Sequence, residues 1–393
     1  MELQGLKYIV VGAGFYGSVI AERIASVLGE KVLLIDQRDH IGGNSWSETD
    51  TETGVEIHKY GSHIFHTSNQ PVWDYINRFT SFNQYRHRVL TTYRGKVYTM
   101  PINLMTINSY YGINLRPSEV GAFLEREIRA LNLPANPANL EEKAMSLIGR
   151  PLYEAFIRGY TIKQWDRDPQ ELPASIITRL PVRNLYNDAY FDDPYQGIPL
   201  DGYAAIFKRM LDHPLIDVRL GVDFFAMRER IPAETTIIYT GPLDRFFDFK
   251  HGVLGWRTLR FEKDVKDTPD FQGTTVMNYA DPDVPYTRIH EFKHFHPERK
   301  YVEKNSKTVI YREYSLLAGR NLPPFYPISS AEDRVMLELY KQERSKHPKV
   351  LFGGRLGSYK YFDMDMAIAA ALKAFEDKIR LPLLEANASP HSL

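Results

Sequence analysis

The 393-residue sequence contains no cysteine. This absence excludes disulfide bonds, thiol nucleophiles, iron–sulfur clusters and cysteine-based zinc sites. No apolar stretch approaches the roughly 18 residues that a membrane-spanning helix needs. The segment 1–11 also lacks the basic start and the long apolar core of a secretory signal. We therefore expect a cytoplasmic protein.

The sequence has no excess of charge of either sign, because 49 Lys and Arg residues balance 49 Asp and Glu residues. A formal net charge of zero argues against nucleic acid or an anionic membrane as the main partner. It leaves room for a local cationic pocket that binds one small anion. Aromatic residues are plentiful, with 25 Tyr, 21 Phe and 4 Trp, and each buried tyrosine hydroxyl needs a hydrogen-bond partner.

The first motif is a glycine-rich turn between a strand and a helix. Residues 8–11 predict a short buried strand, residues 12–17 read Gly-x-Gly-x-x-Gly, and apolar residues at helical spacing predict a helix over 18–28. A second predicted strand over 31–36 ends in an acid. In this order the elements match the fingerprint of dinucleotide-binding proteins. An α/β unit whose glycine-rich turn binds no ligand is the alternative.

Each residue of the fingerprint has a physical role. Gly12 permits the tight turn, Gly14 lets a pyrophosphate approach the backbone, and Gly17 lets the helix pack closely. Asp36 can accept hydrogen bonds from ribose hydroxyls, and the helix N-terminus offers oriented N–H groups to the phosphates.

The residues after the second strand favour FAD over NAD. Arg38 is followed by Gly42-Gly43-Asn44. An Arg and then a Gly-Gly pair at this place resemble the extended FAD site of glutathione-reductase-like flavoproteins. A mobile surface loop is the other interpretation of residues 42–44.

The middle of the chain carries patterns that do not belong to a dinucleotide-binding unit. Residues 86–102 predict a β-hairpin, and helical patterns punctuated by prolines dominate 103–177. The proline-containing connection over 166–184 is a candidate lid. Residues 255–315 alternate as antiparallel strands do.

Elements of the dinucleotide-binding type return later in the chain. A helix is predicted over 202–211, a strand and turn over 236–242, a strand over 349–354, and a helix over 364–379 with Asp363 as its N-cap. We therefore expect an α/β fold. A Rossmann-like, glutathione-reductase-like FAD-binding domain is split into segments, with an inserted helical domain and an antiparallel β-sheet domain.

The expected domains are discontinuous. The segments are 1–85, 198–245 and 328–393 for the FAD-binding domain, 103–182 for the helical domain with its lid, and 86–102, 183–197 and 246–327 for the sheet domain.

Ordered motifs extend over the chain from about residue 6 to about residue 375. They are His58-Lys-Tyr-Gly-Ser-His-Ile-Phe-His66, Gly159-Tyr-Thr-Ile-Lys-Gln-Trp165, Arg179-Leu-Pro-Val-Arg183, Tyr195-Gln-Gly197, Tyr239-Thr-Gly-Pro242, Pro285-Tyr-Thr-Arg288, Gly353-Gly-Arg-Leu-Gly357 and Tyr361-Phe-Asp363. Together they resemble the UDP-galactopyranose mutases, FAD enzymes that interconvert UDP-galactopyranose and UDP-galactofuranose, and in length the bacterial branch. Ser62 stands where Ala or Pro is usual in that family.

The resemblance implies an isomerase (an intramolecular transferase) in which N5 of reduced FAD is the nucleophile at the anomeric carbon of the sugar. The reaction has no net redox change, but the FAD must first be reduced. The sequence has no second Gly-x-Gly-x-x-Gly for a nicotinamide cofactor, so we expect an external reductant such as NAD(P)H. The resemblance also implies a homodimer and a role in cell-wall polysaccharide biosynthesis.

The resemblance further implies the site residues. His63 lies beside the flavin, and Arg179 on the lid and Arg288 on the sheet grip the diphosphate through forked donors. The substrate-binding residues are Phe156, Ile157, Tyr160, Trp165, Tyr190, Asn278, Tyr326 and Tyr361. The FAD-binding residues are Gly12, Gly14, Phe15, Gly17, Asp36, Gln37, Arg38, Gly43, Asn44, His63, Ile64, Arg355, Asp363 and Met364.

Several features have a second interpretation. His58, His63 and His66 invite a metal site, but Glu56 is the one acidic ligand nearby and no HExxH-like helix accompanies them, so we expect no metal. Phe156 and Tyr160, four residues apart, also suit core packing.

Two other classes of protein stay open. An FAD-dependent oxidoreductase of the amine-oxidase type shares the FAD signature but gives no reason for paired arginines. A non-catalytic binding protein built on the same fold is the third possibility.

Overall fold

Two large sheets organise the chain, which a computed structural model describes over residues 3–177, 181–320 and 322–388. The strands, numbered in chain order, are β1 (Tyr8–Val11), β2 (Val32–Ile35), β3 (Ser47–Thr49), β4 (Glu56–His58), β5 (Phe65–Thr67), β6 (Val89–Tyr93), β7 (Lys96–Met100), β8 (Tyr195–Gly197), β9 (Ile216–Arg219), β10 (Thr236–Tyr239), β11 (Trp256–Lys266), β12 (Val276–Tyr279), β13 (Arg288–His290), β14 (Thr308–Leu317), β15 (Tyr326–Pro327) and β16 (Val350–Phe352).

Helices cover the sheets and form a separate cluster. They are α1 (Phe15–Arg23), α2 (Gln70–Ile76), α3 (Leu104–Tyr111), α4 (Pro117–Arg129), α5 (Leu140–Leu152), α6 (Gly159–Trp165), α7 (Tyr203–Leu211), α8 (Phe224–Met227), α9 (Leu243–Phe246), α10 (Tyr301–Lys304), α11 (Ala331–Ser345), α12 (Gly354–Ser358), α13 (Met364–Phe375) and α14 (Leu381–Ala388). Within the described ranges, no helix combines the length and the apolar composition that crossing a membrane requires.

The first sheet is parallel and has five strands in the order β16-β10-β1-β2-β9. Its central strands are fully buried and almost entirely apolar, as expected for a parallel sheet covered on both faces. Helix α1 follows β1 directly and packs with α13 and α7 on one face. The chain enters β2 after Gly29, whose φ of +66° lets it end the helical run after α1. The Rossmann-like α/β core predicted from the sequence is confirmed.

The second sheet has seven strands in the order β15-β11-β14-β13-β12-β6-β7. Its longest pair is β11 with β14, antiparallel from Arg257 opposite Leu317 to Lys266 opposite Thr308. The hairpin β6–β7 joins the sheet through a parallel pairing of β6 with β12. The predicted hairpin and the predicted antiparallel strands are thus present in one sheet.

The helical part of the chain lies between strands β7 and β8 in sequence. Asn103 caps α3 by accepting hydrogen bonds from the N–H groups of Met105 and Thr106. Helix α5 is interrupted at Gly149, where φ is +75° and ψ is 166°, so its regular part ends at Ile148. The buried apolar faces of α3, α4 and α5 form one core with the hairpin β6–β7.

The strands of each sheet come from distant segments. All five parallel strands lie within 1–85, 198–245 and 328–393, and all seven strands of the second sheet lie within 86–102 and 246–327. Strand β8, within 183–197, instead pairs with β5 in a separate two-stranded sheet. The domain boundaries themselves stay a prediction.

One local prediction needs correction. Asp363 precedes α13 as expected, but its side chain makes no capping hydrogen bond. Its Oδ1 accepts instead from the hydroxyl of Tyr361, 3.0 Å away. The neighbouring phenol therefore takes the carboxylate that we expected to satisfy the helix N–H groups.

Candidate active site

The glycine-rich turn after β1 is closed so tightly that side chains are excluded. Gly12 has φ of +107°, and a Cβ atom there would lie 2.0 Å from the Thr240 Oγ1. A Cβ atom on Gly17 would lie 2.0 Å from the carbonyl oxygen of Gly12. The third glycine therefore lets α1 pack against the turn, as the fingerprint predicts.

A cleft opens beside this turn at the carboxyl ends of the parallel strands. Its lining includes the predicted cofactor residues Gly12, Gly14, Phe15, Gly17, Asp36, Gln37, Arg38, Gly43, Asn44, His63, Arg355, Asp363 and Met364. Ile64 is the exception, because its side chain packs in an apolar cluster with Val55, Ile57 and Phe292. The structure thus gathers three distant segments of the chain around one cleft.

The acid at the end of β2 organises the loops of the cleft. Asp36 Oδ2 accepts from the N–H of Ala13 at 2.8 Å, and its Oδ1 accepts from the N–H of Arg38 at 2.9 Å. The Arg38 guanidinium donates to Asn44 Oδ1 at 2.8 Å and lies over the ring of Tyr60. Its Nη1 is buried and has no partner among the described residues. A buried, unpartnered guanidinium nitrogen beside a glycine cradle suits an anionic group of a ligand.

Residues of the cleft that we did not predict lie after β9 and β10. They include Asp223, Phe225, Thr240 and Arg245. Arg245 donates to Gln37 Oε1 at 3.2 Å and to Asp223 at 3.0 Å. The signal that points to them is topological, because parallel strands adjacent to β1 and β2 end at the same edge of the sheet.

His63 is held in one protonation state. Its Nδ1 lies 2.7 Å from the carbonyl oxygen of Gly61, which can only accept, so Nδ1 carries the proton. Burial lowers the pKa of His63 to about 4. The neutral ring therefore keeps a free electron pair on Nε2.

The three histidines of this segment have separate partners. The Nδ1 of His58 accepts from the N–H of His63 at 3.0 Å, and His66 Nδ1 lies 2.7 Å from Asp193. His58 stacks on the ring of Phe295. The three rings thus position the turn and its neighbours, each through a different contact.

A second group of polar residues surrounds Arg288. Asn278, Arg288 and Glu313 lie opposite one another on the adjacent strands β12, β13 and β14. The Arg288 guanidinium donates to the hydroxyl of Tyr160, and its Nε lies 3.3 Å from Glu313 Oε1. Asn278 Oδ1 is buried without a partner among the described residues. The group therefore presents a fixed cation and an unused acceptor.

Electrostatics keeps this group charged. Burial opposes the charge of Arg288, but Glu313 and the phenol oxygens of Tyr160, Tyr326 and Tyr190 hold its pKa well above the ordinary value. Burial likewise raises the pKa of Glu313, but Arg288 and His290 outweigh it and lower the pKa to about 2. A cation surrounded by phenol hydroxyls is suited to phosphate oxygens.

Tyr326 and Tyr361 connect the Arg288 group with the cleft. Their rings stack with centroids 6.1 Å apart and an interplanar angle of 25°. The guanidinium of Arg355, which lines the cleft, lies 5.6 Å and 5.2 Å from the two ring centroids. The two predicted groups of residues therefore form one continuous surface.

Helix α6 carries Tyr160 and Trp165 and is fastened to the sheet. Lys163 Nζ donates to the carbonyl oxygens of Tyr279 at 2.7 Å and Asp281 at 2.8 Å. A Cβ atom on Gly159 would lie 2.4 Å from the Ala280 carbonyl oxygen, so this glycine permits the close contact. Burial lowers the pKa of Lys163 to about 8.

The remaining predicted substrate residues differ in exposure. Phe156 is 3% exposed and contacts Tyr93, Tyr98 and Tyr110 edge to face, and Ile157 is 7% exposed. The core-packing interpretation therefore applies to the Phe156 ring.

Tyr190 is 44% exposed and packs against His87, a buried histidine that we did not predict. Arg179 lies outside the described residues.

Comparisons with known proteins agree with this arrangement. Residues 155–361 match the family model described as UDP-galactopyranose mutase, and residues 10–79 match an NAD(P)-binding Rossmann-like domain. The chain is 44% identical over 373 residues to the probable UDP-galactopyranose mutase of Klebsiella pneumoniae, covering 94% of each chain. It is 39% identical over 372 residues to the dTDP-fucopyranose mutase of Escherichia coli, covering 93% of this chain and 97% of the relative.

A solved structure shows the same fold. The crystal structure of a reduced UDP-galactopyranose mutase aligns with a TM-score of 0.71 at 17% identity, covering 96% of this chain and 95% of the other. At this identity the match supports the fold alone.

Proposed function

Because this chain belongs to the UDP-galactopyranose mutase family, we propose that it interconverts UDP-galactopyranose and UDP-galactofuranose. The observation that carries the proposal is the Arg288 group, a half-buried cation with phenol hydroxyls and an unused amide acceptor beside a dinucleotide cleft. An FAD-dependent oxidoreductase would need the cofactor cleft, but its reaction would not require this anion-binding site.

We propose FAD as the resident cofactor, active in the reduced form. The residues fit it, because Gly14 and Gly43 bring two backbone segments together and Arg38 offers a buried, unpartnered donor. A Cβ atom on Gly43 would lie 3.2 Å from the Cα of Gly14. When bound and reduced, FAD would supply a nucleophilic nitrogen for the anomeric carbon of the sugar.

The chain's own residues bind and orient the nucleotide. Arg288 and the hydroxyls of Tyr190, Tyr326 and Tyr361 bind the diphosphate, and Trp165 supplies an aromatic surface for the uracil.

Asn278 Oδ1 offers the acceptor that the uracil N3–H needs, and its burial without a partner supports this assignment. Ile157 and Tyr160 would complete the wall of the uridine pocket, which the core-packed Phe156 ring supports.

Arg288 also acts on the departing group. Cleavage of the glycosidic bond leaves negative charge on the UDP, and a preorganised guanidinium stabilises that charge. The UDP must stay bound while the sugar ring opens and closes, so tight retention is part of the reaction. We propose that Arg179 adds a second cation from the lid over 166–184.

His63 contributes an acceptor on the cofactor side. Its Nδ1 proton is committed to Gly61, so the free Nε2 electron pair can receive a proton or a hydrogen bond. We propose that the stacked rings of Tyr326 and Tyr361 shield the reacting groups from water once the substrate is bound.

The wider setting follows the family. We propose a cytoplasmic homodimer that serves cell-wall polysaccharide synthesis, with FAD reduced by an external reductant such as NAD(P)H. We propose that segments 1–85, 198–245 and 328–393 together form the FAD-binding domain.

The 39% sequence identity to a dTDP-fucopyranose mutase makes dTDP-fucose a second candidate substrate. Fucose is a 6-deoxygalactose, so both candidates present the same ring contraction to the cofactor. They differ in the base methyl, the ribose 2′-hydroxyl and the sugar 6-hydroxyl, and these groups decide between them.

Two measurements on the purified protein test the proposal. Heat release and chromatography of the flavin should yield FAD in about one equivalent per chain. Calorimetric titration should give tighter binding of UDP than of dTDP. A colourless protein would contradict the flavoenzyme proposal, and tighter binding of dTDP would favour the second candidate. NADH consumption in proportion to substrate would favour an oxidoreductase.

A further inference from the structure

A chain of polar side chains links the turn that carries His63 to Arg288. Ser62 Oγ lies 2.6 Å from His290 Nδ1, and His290 Nε2 lies 2.9 Å from Glu313 Oε2. The other carboxylate oxygen, Glu313 Oε1, lies 3.3 Å from Arg288 Nε. His290 is 0% exposed and Glu313 is 4% exposed. The connection therefore runs through the protein interior.

The positions of these residues on the sheet explain the alignment. Arg288 and His290 are two residues apart on β13, so both side chains lie on the same face. Glu313 is directly opposite Arg288 on β14. The Glu313 carboxylate can therefore reach both Arg288 and His290, with one oxygen for each.

The surrounding charges determine which atom carries the proton in each hydrogen bond between these side chains. Glu313 is ionised, so His290 Nε2 must donate to it. Burial lowers the pKa of His290, which keeps the ring neutral, and Nδ1 then accepts from the Ser62 hydroxyl. Each hydrogen bond has one direction, from Ser62 to His290 to Glu313.

The order of serine, histidine and carboxylate resembles a hydrolytic triad, but the charges do not suit one. In a triad the histidine takes the serine proton, and the carboxylate stabilises the imidazolium. Here Glu313 is already paired with Arg288, and the same guanidinium disfavours a positive charge on His290. The arrangement is suited to holding groups in place.

The turn itself also lies close to the same carboxylate. Gly61 has φ of +91°, and a Cβ atom there would lie 3.0 Å from the Phe261 ring and 3.6 Å from Glu313 Oε2. The carbonyl oxygen of Gly61 accepts from His63, which lines the cofactor cleft. A shift of Glu313 would therefore move the turn as well as Arg288.

We propose that Ser62, His290 and Glu313 form a positioning relay that holds Arg288 and the His63 turn in one fixed relation. The inference rests on the proposed function, since it takes Arg288 as the diphosphate ligand. In the proposed reaction the anomeric carbon would have to lie between the cofactor, held beside His63, and the diphosphate, held at Arg288. A displacement of either the His63 turn or Arg288 would move the reacting atoms apart. One rigid connection between the turn and Arg288 fixes both positions.

A double-mutant cycle on UDP affinity tests the relay, measured by calorimetry on the full-length, flavin-loaded protein. Ser62 lies on the turn rather than beside the diphosphate ligand Arg288. Ser62→Ala should nevertheless weaken UDP binding about threefold, because His290 loses one hydrogen bond. His290→Leu should weaken it about tenfold, because Glu313 loses its buried donor. Both variants break one chain, so the double variant should be about as weak as His290→Leu alone.

Two further variants separate positioning from general stability. His290→Gln keeps a donor toward Glu313 and should recover most of the affinity. Thr308→Val removes a fully buried hydroxyl of β14 that donates to Glu291. It should lower the unfolding midpoint and leave UDP affinity unchanged.

The outcomes distinguish the relay from the function on which it rests. Wild-type protein that does not bind UDP would overturn the proposed function and the relay together. If the wild type binds UDP but Ser62→Ala has no effect, the relay alone is wrong. The same holds if the two single effects multiply in the double variant, or if Thr308→Val weakens UDP binding as much as His290→Leu.

Discussion

The cofactor cleft and the Arg288 group are built in opposite ways. The cleft depends on backbone that side chains cannot enter, as the 2.0 Å approach to Gly12 and Gly17 shows. The Arg288 group depends on side chains carried by three strands and by α6. Substitutions in the first region should therefore act in an all-or-none way, and substitutions in the second should have graded effects.

The largest expected effect is in the backbone-built region. Gly17→Ala would place a methyl group 2.0 Å from the Gly12 carbonyl oxygen. We expect a loss of at least about 3 kcal/mol of stability and of nearly all bound FAD, because the turn and α1 must separate. Absorbance of the purified protein at flavin wavelengths, together with urea unfolding, measures both.

The matched control for this variant is Gly121→Ala in α4. Gly121 is exposed, and a Cβ atom there meets nothing within 4 Å. Alanine at this helical position should stabilise the protein by about 0.5–1 kcal/mol and retain FAD. A normal flavin content in Gly17→Ala would contradict the contrast between the two regions.

Arg288→Ala should have the next largest effect. Loss of the preorganised cation should lower turnover about 10²–10³-fold and weaken UDP binding, because the contact exists before and during bond cleavage. Arg288→Lys keeps the charge but loses the forked donors, so its turnover should lie between that of the wild type and that of Arg288→Ala. Steady-state kinetics of the reduced protein checks the order, and equal turnover of the lysine and alanine variants would show that charge is not what Arg288 supplies.

Trp165→Ala should have a smaller, purely binding effect. Trp165 is half-buried on α6, which Lys163 fastens to the sheet. Loss of its ring should weaken UDP binding by about 1–3 kcal/mol and leave the flavin spectrum unchanged. Trp73, another half-buried tryptophan, stacks on Tyr195, and Trp73→Ala should cost stability without changing UDP affinity. Unchanged UDP binding in Trp165→Ala would assign that ring to packing.

Sequence reasoning succeeded where the chemistry is local. The fingerprint from Gly12 to Asp36 is contiguous, and a Cβ atom on Gly17 would collide with Gly12 within the same turn. The Arg288 ligand set came from the family resemblance rather than from spacing. Ser62 and His290 are separated by 228 residues. No periodicity of the sequence connects them, so only the pairing of β13 with β14 and the position of the turn reveal the contact.

Two predicted side chains have contacts that we did not expect. Asp363 was expected to cap α13, but the Tyr361 hydroxyl occupies its carboxylate. Ile64 was expected at the cofactor, but its side chain faces an apolar cluster. The Asp363 carboxylate is held by a phenol two residues away, whereas a tertiary cluster decides where the Ile64 side chain points.

A further expected effect concerns acid stability, to which both regions contribute. Burial lowers the pKa of His58 to about 3, of His63 to about 4 and of His87 to about 3. Between about pH 6.5 and pH 4 the unfolded chain binds protons that the folded protein does not, so stability should fall as the pH falls. Each histidine contributes a slope of up to about 1.4 kcal/mol per pH unit.

Urea unfolding at several pH values measures this slope. His87→Phe removes one of the three groups, so its stability should depend less steeply on pH than that of the wild type. Identical slopes for the two proteins between pH 6 and pH 4.5 would mean that His87 is protonated in the folded state.

The most direct test of the account is turnover of UDP-galactofuranose by the dithionite-reduced protein, with the products separated by chromatography. We expect UDP-galactopyranose to accumulate, with no reductant consumed in proportion to product and no turnover by the oxidised protein. Equal turnover by both forms, or an oxidised sugar as the product, would contradict the proposal that reduced FAD and the Arg288 group together perform an isomerisation.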